Sequence, residues 1–261
     1  MIPSVVISER KEHVALITIN RPEKLNALDW ETLTALDDAV GKAANDPKIR
    51  VLVFTGQGER AFVAGGDIAD LKSRKGLSHY LELGELLQAT LRRIETLDKP
   101  TISAVNGWAL GGGTELVLAT DLRIAADTAK FGLPEILLGL FPGAGGTQRL
   151  MRQIPLCRAK ELMFLGDQLG AHDAERLGLI NKVVPAGDLL KEALAIADRI
   201  ARHSSLTLKL LKRTLVDGYE MPLASALRHE QAMISLVLDS ADAREGCEAF
   251  IEKRQPVFRG I

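Results

Sequence analysis

The sequence predicts an α/β protein, a glycine-rich α/β core followed by a helical tail. Three observations carry this reading. Short β-prone runs alternate with stretches of helical spacing up to about residue 126. Thirteen of the 23 glycines fall in two windows, 56–66 and 107–146, and only three follow residue 187. At 261 residues the chain is long enough to bury a sizeable core.

The elements follow in order. His13 to Asn20 (HVALITIN) is β-rich and is stopped by Arg21-Pro22. Asp29 is placed to cap a helix from about Trp30 to Ala44, with Leu33, Leu36 and Val40 on its apolar edge and Pro47 beyond its end. Arg50 to Thr55 (RVLVFT) is a continuous apolar run of the kind buried on both faces, and Gly56 to Gly66 reads as a loop. Helical spacing returns at about 78–97. A strand at 101–105 then leads through Gly111-Gly-Gly113 into a short helix, followed by a strand at about 121–126. From about 188, Leu189, Leu190, Ala193, Leu194, Ala197 and Ile200 begin a run of several helices. The chain thus divides into a core, 1–195, and a C-terminal helical region, 196–261.

Composition excludes several functions. The net charge of −1 and only eleven aromatic residues argue against nucleic acid and against a membrane surface as partners. Residues 101–120 approach membrane length, but Asn106, four glycines and Glu115 interrupt them. Two cysteines, Cys157 and Cys247, are too few for a disulfide framework, and Met1–Arg10 has no secretory pattern, so a cytoplasmic location is expected. The five histidines show no HExxH spacing, and CxxC, GxSxG, GxGxxG and P-loop signatures are all absent. No metal site is expected.

Two glycine-bearing stretches remain, Ala61-Phe-Val-Ala-Gly-Gly-Asp-Ile68 and Asn106-Gly-Trp-Ala-Leu-Gly-Gly-Gly-Thr-Glu-Leu116. Each places uncovered backbone N–H groups after a strand, where two donors converging on one oxygen would form an oxyanion hole. Tight turns and close helix packing are the alternative. Glu115 and Glu135 are both flanked by aliphatic residues, and burial there would raise their proton affinity toward values useful for acid–base work. Glu115 could instead favour the helix dipole, and Glu135 could cap or pair with an arginine. Together the two acids beside a possible oxyanion hole point to proton transfer next to a carbonyl. A glycosidase would also use two carboxylates, but so few aromatics make a sugar site unpromising.

At these residues the chain resembles the crotonase (enoyl-CoA hydratase/isomerase) superfamily, and within it an enoyl-CoA hydratase. The blocks run in order: Arg21-Pro-Glu-Lys-Leu-Asn-Ala-Leu28, AFVAGGDI, Lys99 to Gly107, Ala109 to Glu115, Phe131 to Gly139, Phe141 to Arg149, and Phe250-Ile-Glu-Lys-Arg254. The resemblance implies a spiral of ββα units with a C-terminal helical region used for trimerisation, giving a homotrimer or a dimer of trimers. It implies an acyl-CoA thioester as substrate and no cofactor beyond the CoA that the substrate carries.

The amides at Gly66 and Gly112 would hold the thioester oxygen. Glu115 would activate the water that adds at Cβ, and Glu135 would deliver a proton at Cα. Lys24, Leu25, Ala64, Asp67 and Ile68 match the region along adenine and pantetheine. Phe250 and Lys253 match an element reaching the CoA of a neighbouring subunit. For Lys24 and Lys253 taken alone, solvated surface lysines are the default. Thr114 and Trp108 stand where a cysteine and a tyrosine are common, and are expected to shape the acyl pocket. A carnitinyl-CoA dehydratase-like enzyme or an enoyl-CoA isomerase is the alternative, and a non-catalytic or RNA-associated protein of the same fold a remote one.

Overall fold

The computed structural model describes residues 4–74 and 76–261. The chain opens with an antiparallel hairpin of β1 (Val6–Lys11) and β2 (Val14–Ile19). Helix α1 (Trp30–Asn45) follows, capped as expected by Asp29, whose Oδ1 accepts from the Thr32 amide at 2.9 Å. Three ββα turns come next. The first is β3 (Val51–Gly56), β4 (Ala61–Val63), α2 (Ile68–Ser73) and α3 (Leu77–Thr96). The second is β5 (Thr101–Val105), β6 (Trp108–Leu110) and α4 (Gly112–Leu118). The third is β7 (Leu122–Ala126), β8 (Lys130–Gly132), a 3₁₀ turn at Pro134–Leu138, α5 (Gly146–Gln153) and α6 (Leu156–Leu165). The chain closes through β9 (Leu169–Gly170), α7 (Ala171–Arg176), β10 (Lys182–Val184), α8 (Leu189–Ala201), α9 (Ser205–Tyr219), α10 (Leu223–Leu238) and α11 (Ala241–Glu252).

The first strand of each turn joins a six-stranded sheet ordered β1-β2-β3-β5-β7-β10, and the second joins a four-stranded sheet ordered β4-β6-β8-β9. From β2 to β10 the large sheet is parallel. Parallel strands covered on both faces read as unbroken apolar runs, and β3 is buried at all six positions. Alternate residues serve opposite sides. Leu52 and Phe54 join the cluster with Leu33, Leu36 and Leu91, whereas Val51 and Val53 join Leu189, Ala193, Ala197 and Ala201 of α8.

Two sequence expectations change here. Position 195 lies inside α8, whose Leu189, Ala193, Ala197 and Ala201 pack on the large sheet, so a boundary drawn there falls within a helix. The expected loop 56–66 also contains β4, a strand of three residues, too short for its alternation to register. The C-terminal helices are as expected. Lys212 anchors α9 to the core, its Nζ 2.7 Å from Asp121 Oδ2 and within 3.3 Å of the Ile94 and Lys99 carbonyls. Beyond that anchor, Leu211, Leu215 and Tyr219 of α9 and Leu223, Leu227 and Leu238 of α10 are exposed.

Candidate active site

Parallel pairing of β4 with β6, through Ala61–Trp108 and Val63–Ala109, sets the segments leaving these strands side by side. Gly65 at φ 99° and Gly111 at φ 51° turn the chain where an L side chain would be strained. A Cβ on Gly113 would be driven into the Val63 carbonyl, so this glycine permits α4 to start hard against β4. Gly112 opens α4, and its amide therefore has no acceptor within the helix. Gly66 is bridged to Leu28, but the bridge runs from Leu28 N to Gly65 O and from Asp67 N to Leu28 O, both 2.8 Å. The Gly66 amide is left out of it.

Arg21 braces this corner. It donates to Ala27 O at 2.6 Å and pairs with Asp29 at 2.9 Å and Asp67 at 3.1 Å. Burial pushes the Asp67 carboxyl upward, but the Arg21 guanidinium and the Asp70 and Ala69 amides outweigh it and hold the group below its ordinary value. Asp67 thus spends its carboxylate on Arg21 and on capping α2. Leu25, at φ 53°, ends the short turn Pro22–Lys24 and its carbonyl accepts from the Ala64 amide at 3.1 Å, which joins this turn to the segment that runs on through Asp67 to exposed Ile68. Five of the seven expected CoA contacts therefore share one corner. The other two, Phe250 and Lys253, sit on and just beyond α11, which packs against α10. Phe250 is 85% exposed.

Glu115, one turn into α4, is 2% exposed. Its Oε1 accepts from the Ala144 amide at 2.7 Å and the Gly146 amide at 2.8 Å. Burial raises its proton affinity. The two amides and, at longer range, Arg149 pull it back, leaving the carboxyl above its ordinary value. Sequence reasoning missed these two donors, although the block Phe141-Pro-Gly-Ala-Gly-Gly146 ahead of a helix was a signal for exposed amides.

Glu135 sits in the Pro134–Leu138 turn, between half-buried Pro134 and exposed Ile136. Its Oε2 is buried and has no hydrogen-bond partner among the described residues. Burial pushes the carboxyl up to about 7, against the pull of its own amide, and the Glu115 charge adds to the rise. A Cβ on Gly111 would come within 3.0 Å of Glu135 Oε1, so that glycine makes room for the acid. Among the described residues no arginine pairs with Glu135.

Thr114 is buried, and its hydroxyl lies 2.6 Å from Ala109 O and 2.9 Å from Gly132 O, bracing β6 against β8. Among the described residues no group of three or more His, Cys, Asp and Glu side chains is placed to hold a metal ion, and no helix is long and apolar enough to cross a membrane.

Residues 9–260 match the family described as enoyl-CoA hydratase/isomerase, and the chain belongs to that family. Within it the chain is 43% identical to the crotonyl-CoA hydratase of Syntrophomonas wolfei, over 97% of each protein. It is 39% identical to the 2,3-dehydroadipyl-CoA hydratase of Escherichia coli, covering 98% of this chain and 99% of that one. The crystal structure of an enoyl-CoA hydratase from Bacillus anthracis superposes with a TM-score of 0.96 at 37% identity, covering 98% of this chain and all of that one. The spiral of ββα units is the crotonase fold that the sequence blocks implied.

Proposed function

We propose that this chain is a 2-enoyl-CoA hydratase that adds water across the 2,3-double bond of an enoyl-CoA thioester. The observation that carries the reading is the pair of glutamates, Glu115 and Glu135, both with raised proton affinity and set beside two glycine amides without helix or bridge partners. The hydratase names of the relatives support it.

In this reading the thioester oxygen accepts from the Gly66 and Gly112 amides. Water attacks Cβ as Glu115 takes one of its protons. The π electrons move onto the thioester oxygen as an enolate, which the amides stabilise by an amount on the order of 3 kcal/mol per donor. The enolate then collapses as Glu135 gives its proton to Cα. Glu115 ends protonated and Glu135 ionised, so a proton must pass between them or through solvent before the next turnover. The reaction is redox-neutral, and this scheme calls on no cofactor beyond the substrate's own CoA.

In this reading the corner of Lys24, Leu25, Ala64, Asp67 and Ile68 would carry the CoA moiety. Because Asp67 is already engaged by Arg21, it would contribute through backbone and shape. The exposed apolar faces of α9 and α10 suit burial in a homotrimer or a dimer of trimers, in which Phe250 and Lys253 would approach a neighbour's CoA. The expected setting is the cytoplasm.

The test is to add the protein to crotonyl-CoA and follow the absorbance of the conjugated enoyl thioester. Its loss, with formation of the 3-hydroxyacyl thioester, supports the reading. No turnover across a panel of 2-enoyl-CoAs overturns it. Turnover of a 3-enoyl-CoA to its 2-enoyl isomer without hydration would place the chain among the isomerases.

A further inference from the structure

The loop that holds Glu115 is itself clamped from behind. Ala144 works in both directions, since its amide donates to Glu115 Oε1 at 2.7 Å while its carbonyl accepts from Arg149 Nη1 at 2.9 Å. The remaining face of the Arg149 guanidinium forms a two-pronged pair with Glu95 of α3, Nε to Oε1 at 3.0 Å and Nη2 to Oε2 at 2.9 Å. Such a fork fixes the plane of the guanidinium as well as its position. Both side chains are largely shielded, Arg149 at 12% and Glu95 at 25% exposed. Gly145, at φ 96°, lies over the guanidinium, and a Cβ there would strike Arg149. Gln88, also on α3, adds a second clamp by donating to Gly143 O at 2.6 Å.

We propose that Arg149, held in plane by Glu95, is the positioning residue that fixes the Ala144 and Gly146 amides on Glu115 and thereby sets where Glu115 holds the attacking water. The inference rests on the hydratase reading for what Glu115 does, but its geometry stands on this chain alone. Two acceptors on the arginine's far side hold the fork, and one backbone carbonyl transmits its position to an amide that touches the acid. Small displacements of a reacting group are costly, because near-attack geometry is defined to a fraction of an ångström. Arg149 also contributes charge, since its guanidinium opposes the upward push of burial on Glu115.

A purely structural arginine–glutamate fork between α3 and α5 would alter stability and leave the properties of Glu115 alone, which separates the two accounts. The experiment compares wild type with Arg149→Met, Arg149→Lys and Glu95→Gln. It reads kcat, KM and the pH dependence on crotonyl-CoA, together with the titration of Glu115 by carbon-13 NMR of glutamate-labelled protein. Arg149→Met is expected to lower kcat roughly 10- to 100-fold with little change in KM. It should also move the Glu115 titration, and the acid limb of the rate profile, to higher pH. Arg149→Lys keeps the charge but loses the fork, so it should restore the titration while recovering only part of kcat. Glu95→Gln should lower kcat less than Arg149→Met does.

If Arg149→Met fails to fold, Arg149→Lys and Glu95→Gln decide the matter by the same readouts. Folded variants with wild-type kcat and an unmoved Glu115 titration overturn the proposal. An inactive wild type would overturn the hydratase reading, and the NMR titration would still test the clamp.

Discussion

Glu115 and Glu135 are the same side chain in two different supports. Glu115 is almost fully buried, yet two backbone amides donate to one of its oxygens and an arginine stands behind the loop that supplies them. Glu135 is less deeply buried, yet one oxygen has no partner among the described residues. Hydrogen bonds from fixed amides stabilise the charged form, so depth alone does not set proton affinity. In the proposed scheme the better-supported acid, whose charged form the two amides stabilise against burial, is the one that accepts a proton from water. The orphaned acid, with its value pushed up to about 7, is suited to start protonated and give one away. Within that scheme the two environments would thus suit chemically identical groups to opposite roles.

The comparison can be broken most directly by neutralising each acid in turn. Glu115→Gln and Glu135→Gln are each expected to lower kcat on crotonyl-CoA by roughly 100- to 10,000-fold, the range for losing a positioned acid or base. Steady-state rates and KM values check this. Near wild-type turnover in either variant would remove that residue from the scheme.

A smaller effect is expected on the Glu135 side alone. Gly111→Ala places a side chain at φ 51° and crowds Glu135 Oε1, at a cost of about 1–3 kcal/mol in stability. Denaturant unfolding at fixed pH measures it, and because the crowding falls on Glu135, turnover should drop further than the lost stability explains. A variant as stable and active as wild type would show that the turn has room to spare.

The smallest effect concerns the orphan oxygen. The folded-state value of Glu135 lies above its ordinary value of 4.5, so the folded chain binds this proton more tightly than the unfolded chain. That stabilisation is complete below about pH 4.5 and is lost as the pH rises through about 7. Glu135→Gln has no such loss. Relative to wild type it should therefore gain about 1–2 kcal/mol between pH 5 and pH 8, after allowance for partial solvent exposure. Equal pH dependence in the two proteins would mean that Glu135 is well solvated.

Much of this was legible in the amino-acid sequence, and the exceptions have physical causes. β3, α1 and α3 carry long enough apolar patterns to be read, and Asp29 announces the start of α1. β4, β6, β8 and β10 have three residues each, shorter than any window in which alternation can register. The acids themselves stood out because they interrupt aliphatic runs. The supports of Glu115 did not, since Ala144 and Gly146 contribute amides that any residue but proline could supply, and they arrive from 29 and 31 positions downstream. Nor is the bracing role of Thr114 legible, since its hydroxyl satisfies two backbone carbonyls, those of Ala109 and Gly132, that no sequence pattern brings together.

The central claim is the division of labour between the two glutamates, and the pH dependence of kcat/KM on crotonyl-CoA tests it most directly, because that ratio reports ionisations of the free enzyme. The account predicts a bell whose alkaline limb begins near pH 7, where Glu135 loses the proton it must donate. It also predicts that this limb is missing from the residual activity of Glu135→Gln. A wild-type ratio that stays level or rises from pH 6 to about pH 9, or an alkaline limb that survives in Glu135→Gln, would contradict it.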